Sequence, residues 1–260
     1  MSWKNSVWLT AAAALVLSAG CGGGGESAPE KKEEAAPVSE VLTVDPATAA
    51  TVMGKVNFEG TAPKLPPINM SAEPDCKKLH SGAVIPDQVV VNGNNTLKDV
   101  FVWVKGGLEG KKFAVKSETA TIDQKGCIYS PHVVAVQTQQ KVNVLNSDPM
   151  THNIHPLPKE NREWNKSQAP GAAAIEDSFP RQEIMMPVKC NIHPWMRAYI
   201  NVVDHPFFAV TGEDGSFSIA GLPPGTYTIE AQHEKYGAQE MSVTVAASET
   251  KQADFAYKGD

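Results

Sequence analysis

The feature that most narrows the folds open to this chain is a two-residue rhythm that never runs long. In GEDGSFSIAGLPPGTYTIEA, Phe217 and Ile219 alternate with polar neighbours, and so do Tyr227 and Ile229. Successive side chains of a strand point to opposite faces, so short alternating runs describe strands with one face against a core. The DG and PPG steps between them are turn chemistry. The pattern recurs in ATVMGKVNFEG and in VVVNGNNTLKDVFVWVKGG. The latter predicts a tight turn at Asn92–Asn95, then a strand with Val100, Val102 and Val104 on one face. CIYSPHVVAVQTQQKVNVLNSD holds two more alternating segments, and MMPV and AYINVV follow. No long stretch keeps a helical period. An all-β fold is expected, and 260 residues at 42% hydrophobic content allow one large core or two small ones.

The beginning of the chain obeys different rules. MSWKNS carries a lysine, VWLTAAAALVL is apolar, and SAGCGGGG is small-residue-rich around Cys21. That order is the charged start, apolar centre and cleavage region of an export signal. The apolar run is too short for a comfortable membrane span. LSAGC resembles a bacterial lipoprotein signal, which implies lipidation of Cys21, although Ser18 stands where that family usually has Leu. Cleavage near Ala19 or Gly20 without a lipid is the alternative. Either route exports the protein to the periplasmic or cell-surface side, the first as a membrane-anchored lipoprotein. After the signal (1–21), residues 22–47 are Gly-rich, then charged, then rich in Ala and Pro. They cannot bury apolar area and are expected to be a disordered linker. A net charge of −6 with no basic block excludes a nucleic-acid face.

GKVNFEG, the strand DVFVWV and then DGSFSIAGLPPGTYTIEAQHEKYG together resemble the carboxypeptidase regulatory-like domains of transthyretin-like fold, which are small β-sandwiches. In this chain the resemblance is interrupted. It implies one sandwich split in sequence over 49–108 and 206–257, with a second β domain, 119–203, inserted at a loop where insertion is tolerated.

The inserted block carries the chemistry. CNIHPWM places Cys190, His193 and Met196 at C-x2-H-x2-M spacing between two strands, and NSDPMTHNIH supplies histidines upstream. A thiolate and two imidazoles with a weak axial thioether form a type 1 (blue) copper site. Zinc is a poorer match, because Met is a weak fourth ligand for a tetrahedral ion. No second cysteine in the loop offers a dinuclear copper centre, and no C-x-x-C-H offers haem attachment. The span 122–203 resembles a cupredoxin, most nearly amicyanin with its short ligand loop, more than plastocyanin. The resemblance places one copper ion on His152, Cys190, His193 and Met196, with Asn153 pinning the ligand loops. The polar stretch NREWNKSQAPGAAAIEDSFPRQE between His152 and Cys190 reads as loop, and its strands are not traceable from sequence.

Cys76 and Cys127 remain, in an exported chain and without thiolate-activating neighbours, so a disulfide is expected between them. A metal site of Cys76 with His80 is the rival. His155, three residues after His152, is expected at the surface or outside the ligands. His132 is expected at a strand end, and His205 and His233 in packing or solvent. Pro194, Trp195 and Met150 form an expected apolar docking patch for a redox protein such as a cytochrome or dehydrogenase; packing of Trp195 against the neighbouring domain is the alternative. The function these features imply is one-electron carriage without enzymatic chemistry. The alternative is a cell-surface binding or adhesion module with structural or sensory copper.

Overall fold

The alternation in ATVMGKVNFE becomes strand β1 (Ala50–Glu59), whose burial alternates residue by residue with Val52, Val56 and Phe58 inward. The coordinates are a computed structural model and describe residues 41–259. The expected signal, the lipid site at Cys21 and most of the linker lie outside the described residues. Among the described residues, no helix is long and apolar enough to cross a membrane. β1 pairs antiparallel with β13 (Ser216–Leu222) and parallel with β16 (Thr250–Gln252) and β17 (Phe255–Lys258). Gly54 is required where β1 passes the end of β16. A Cβ there would lie 2.0 Å from the carbonyl oxygen of Ala253.

The facing sheet runs β12 (Phe208–Val210), β2 (Phe101–Gly106), β14 (Gly225–His233) and β15 (Gly237–Val245). Val100, Val102 and Val104 point into the core between these two sheets, together with Phe217, Ile219, Tyr227 and Ile229. The turn before them closes through Asn95 N–H to Asn92 O at 3.0 Å, with Asn95 at φ 57°.

A second sandwich is built from the middle of the chain. One sheet runs β5 (Val133–Gln137), β11 (Arg197–Val203), β10 (Glu183–Lys189), β7 (His152–Pro156) and β8 (Lys166–Gln168). The other runs β4 (Tyr129–Ser130), β3 (Ala120–Gln124), β6 (Val142–Asn146) and β9 (Ile175–Asp177). Its core contains Ile122, Tyr129, Val136, Val144, Ile154, Met186 and Ile200. Fully burying a side chain of this kind contributes about 1.5–3 kcal/mol. The stretch that reads as loop between His152 and Cys190 holds the two short strands β8 and β9, one in each sheet. Their polar sequence is explained by Gln168. It is buried and donates to the carbonyls of Val144 and Ala173, and accepts from Gln124 Nε2 at 2.8 Å.

β2 is the reason the two sandwiches join. Its other face presents Phe101 and Trp103, which pack with Val133 and Val203 of the second sandwich in a third apolar cluster. A strand buried on both faces reads as the near-continuous apolar run FVWV. The segment 68–84 does not stay with the first core. Met70 and Cys76 are buried in the second, with Ile68 and Val84 packed beside them. Cys76 sits on the short helix α1 (Pro74–Lys78) and is joined to Cys127 by a disulfide, as the sequence predicts.

Candidate metal centre

Two strand ends meet at one end of the second sandwich. β7 begins with His152, and the loop closing β10 to β11 carries Cys190, His193 and Met196. That loop is tied at its neck. Cys190 N–H donates to Met196 O at 3.2 Å, and Met196 N–H to His193 O at 3.0 Å. The His193 amide also approaches Cys190 Sγ at 3.4 Å. Asn153 links the two elements, because its Oδ1 accepts from Asn191 N–H at 2.7 Å and from the Cys190 thiol at 3.3 Å. The Asn153 amide donates to Asn165 Oδ1 at 2.7 Å, and its carbonyl accepts from the Tyr129 hydroxyl at 2.5 Å.

The donor atoms converge. His152 Nδ1 and His193 Nδ1 are 2.9 Å apart, and Cys190 Sγ is 3.8 Å from His193 Nδ1. His152, Cys190 and His193 offer ligand atoms all within 4.8 Å of one another. A borderline-soft ion sits about 2.0–2.1 Å from imidazole nitrogen and about 2.3 Å from thiolate, so it spans up to about 4.1 Å between two nitrogens and about 4.4 Å between nitrogen and sulfur. Both observed separations fall within those spans, and the third pair, His152 and Cys190, lies within 4.8 Å. Met196 is buried in the same core, next to the loop's neck.

Protonation also favours a metal here. Asp148 Oδ2 accepts from His152 Nε2 at 2.8 Å, which holds that proton on Nε2 and leaves Nδ1 as the donor atom. The same carboxylate accepts from the amides of Gly126 at 2.6 Å and Cys127 at 2.7 Å. Burial pushes the His152 pKa down, but the Cys190 sulfur and Asp148 outweigh it and hold it above the usual histidine value. Burial pushes the Cys190 thiol up, yet hydrogen bonds from His152 and from nearby backbone amides bring it below its ordinary value. Burial and the adjacent His152 both lower His193. A thiol biased towards thiolate beside the neutral imidazole of His193 suits a soft metal, and a bound ion would displace the proton that His152 shares with the thiolate.

Asp148 is the residue that sequence reasoning missed. The signal was available, since it lies four residues before His152 within the same patch, and ligand histidines commonly lean on a carboxylate. Other residues lie apart from the donor cluster. His155 bonds Glu163 at 2.6 Å and Asn191 at 3.2 Å. His80 Nε2 is 2.7 Å from Gly126 O, and Cys76 is committed to the disulfide. His132 pairs with Glu234. His205 contacts Val104 O at 2.8 Å, and His233 is buried against Tyr236 and Tyr257.

The His193 ring is covered. His193 is only 3% exposed. Its ring packs on Trp195 at 5.4 Å between centroids, and one ring nitrogen lies within 4.8 Å of the sulfurs of Cys76 and Cys127. The covering is therefore the disulfide together with the tryptophan. Trp195 Nε1 donates to Cys127 O at 3.0 Å, and Met150 and Trp195 are half-buried against the second core. Pro194 remains exposed, and Ile192 is 45% exposed.

Comparison with known proteins adds two findings. Residues 194–258 match the carboxypeptidase regulatory-like domain. The match starts in the ligand loop and runs through β11 to β17, so β1 and β2 complete that sandwich from upstream. The structural neighbours are cupredoxins and a copper enzyme. They include a purple cupredoxin from Nitrosopumilus maritimus, at 21% identity and TM-score 0.28 over 32% of this chain and 98% of that one. The reduced state of an amicyanin mutant aligns at 16% identity and TM-score 0.30 over 39% of this chain and 97% of that one. A copper-containing nitrite reductase from Thermus scotoductus SA-01 aligns at 17% identity and TM-score 0.32 over 40% of this chain. This chain spans only 26% of the length of that enzyme. No curated protein matched the chain in sequence.

Proposed function

We propose that the protein is an exported, lipid-anchored one-electron carrier, not an enzyme, that holds a single type 1 copper ion through His152, Cys190 and His193, with Met196 as axial ligand. The observation that carries this reading is the convergence of His152 Nδ1, His193 Nδ1 and Cys190 Sγ in a buried pocket. When bound, copper supplies one-electron chemistry by cycling between two oxidation states. The residues around it supply rigidity. Asp148 orients His152, Asn153 ties Cys190 to β7, and the Cys190–Met196 loop is closed by its own backbone bonds. Donors fixed in this way move little between oxidation states. The disulfide and Trp195 keep water from His193. A redox protein partner would approach over Pro194 and the exposed Ile192, which adjoin the donor residues in sequence. The lipid at Cys21 would hold the carrier at a membrane facing that partner.

Copper(II) added to the metal-free protein should produce an intense visible thiolate-to-copper absorption and a reversible one-electron wave. Cys190→Ser should abolish both while leaving the fold intact. A folded wild-type protein that stays colourless with copper would refute the reading. The carboxypeptidase regulatory-like match supports a second one, a cell-surface binding module with structural or sensory copper. Colour without a reversible wave would favour it.

A further inference from the structure

On the far side of Asp148 from His152, a cleft of about 590 Å3 opens between the two sandwiches. Its apolar lining includes Leu79, Ile128 and Pro131, and its polar lining includes Asp87, Asp99 and His132. We propose that this cleft binds a small organic ammonium ion, a primary amine carrying an apolar body, with Asp99 as its counter-ion.

Asp99 is 7% exposed, its carboxylate makes no hydrogen bond or ion pair among the described residues, and its oxygens are not fully enclosed but reach the cleft. Its backbone alone is engaged, donating to Thr211 O at 3.0 Å. A buried carboxylate left without a donor is expensive, and burial raises its pKa to about 6. Its backbone is also in the left-handed region, at φ 60°. A residue held in both an electrostatic and a conformational disadvantage, facing a cavity, is the pattern of a binding group.

The neighbouring charges do not satisfy it. His132 is engaged by Glu234. The Lys98 ammonium lies 4.0 Å from Glu213 and outside ion-pair reach of Asp99. Asp148, on another wall, already receives three N–H donors. The lining also carries Lys98, Lys125 and His80, and the buried carboxylate left without a partner among them is Asp99, beside the apolar Leu79, Ile128 and Pro131. An alkylammonium complements that with N–H donors at one end and hydrocarbon at the other. A bare metal cation does not fit, because among the described residues no cluster of three metal-ligating side chains includes Asp99.

The test is calorimetric titration and amide NMR of the disulfide-intact protein with 2-phenylethylamine, with 2-phenylethanol as the uncharged control. It is done near pH 7.5, about where both carboxylate and amine are charged. The amine should bind saturably and shift the amides of Asp99, Ser130 and His132, and the alcohol should bind more weakly. Asp99→Asn keeps the side-chain shape and tolerates positive φ, so it should fold. It should weaken the amine about tenfold or more and leave the alcohol unchanged. No saturable binding, equal binding of amine and alcohol, or an amine affinity indifferent to Asp99→Asn would each overturn the proposal.

Discussion

Asp99→Asn has a second expected effect, on stability. The wild-type carboxylate titrates near 6 in the folded protein against an ordinary 3.8, with burial as the main cause. A proton-binding group raised on folding makes the folded state bind more protons than the unfolded state between those two values, so stability falls as pH rises through that window. Above about pH 6 the full penalty stays in place, and below about pH 3.8 it has vanished. At about 1.36 kcal/mol per tenfold change in proton affinity, the penalty is about 3 kcal/mol. No side-chain hydrogen bond is lost in the substitution, and Asn suits the left-handed backbone as well as Asp does. Asp99→Asn should therefore stabilise the protein by about 2–3 kcal/mol near pH 7.5 and by almost nothing near pH 4. Urea unfolding followed by tryptophan fluorescence at both pH values, with the disulfide intact, measures this directly. A variant less stable than wild type at pH 7.5, or equally improved at both values, would show that Asp99 is satisfied by a partner and that the reasoning is wrong.

Three further outcomes are expected. Asp148→Ala strips the acceptor from Gly126, Cys127 and His152; it should cost about 3–5 kcal/mol of unfolding free energy and lower copper affinity by about 10–100-fold in a chelator competition. Replacing both Cys76 and Cys127 by Ala opens a loop of 51 residues, and the chain-entropy model puts the loss near 4 kcal/mol, read from thermal or urea unfolding. His233 is pushed down to about 4 by burial, so the unfolded chain binds its proton first and stability falls as pH drops from about 6.5 to about 4, by up to about 3 kcal/mol. Asp99 opposes that fall between pH 3.8 and 6, so the acid limb should steepen in Asp99→Asn and shrink again when His233→Gln is added.

Some parts of the molecule were legible in the sequence because one physical signal dominated them. β1 and β13 alternate cleanly, since each has one face on a core, and β14 does so at Tyr227 and Ile229. The disulfide was legible because Cys76 and Cys127 have no thiolate-activating neighbours, and the rival pairing of Cys76 with His80 is excluded by the crosslink. The convergence of the donor patches was readable because thiol, imidazole and thioether seldom crowd into seven residues. Other parts were hidden for equally physical reasons. β8 and β9 are three residues each, and they earn their place through buried amide bonds of Gln168 and not through apolar periodicity. The migration of Met70 and Cys76 into the second core depends on a crosslink whose partner lies 51 residues away. Asp99 and Glu234 look like ordinary surface acids until the two sandwiches close over them.

The placement of the disulfide against His193 bears on the order in which the molecule matures. Before oxidation, Cys76 and Cys127 would present two further thiols within reach of the same imidazole. A thiophilic ion arriving at that stage meets rival sulfurs and can lodge beside the wrong ones. Once the crosslink has formed, those sulfurs no longer compete and Cys190 is the sole free thiol among the described residues. On the proposed copper reading, faithful loading calls for oxidative folding to finish first.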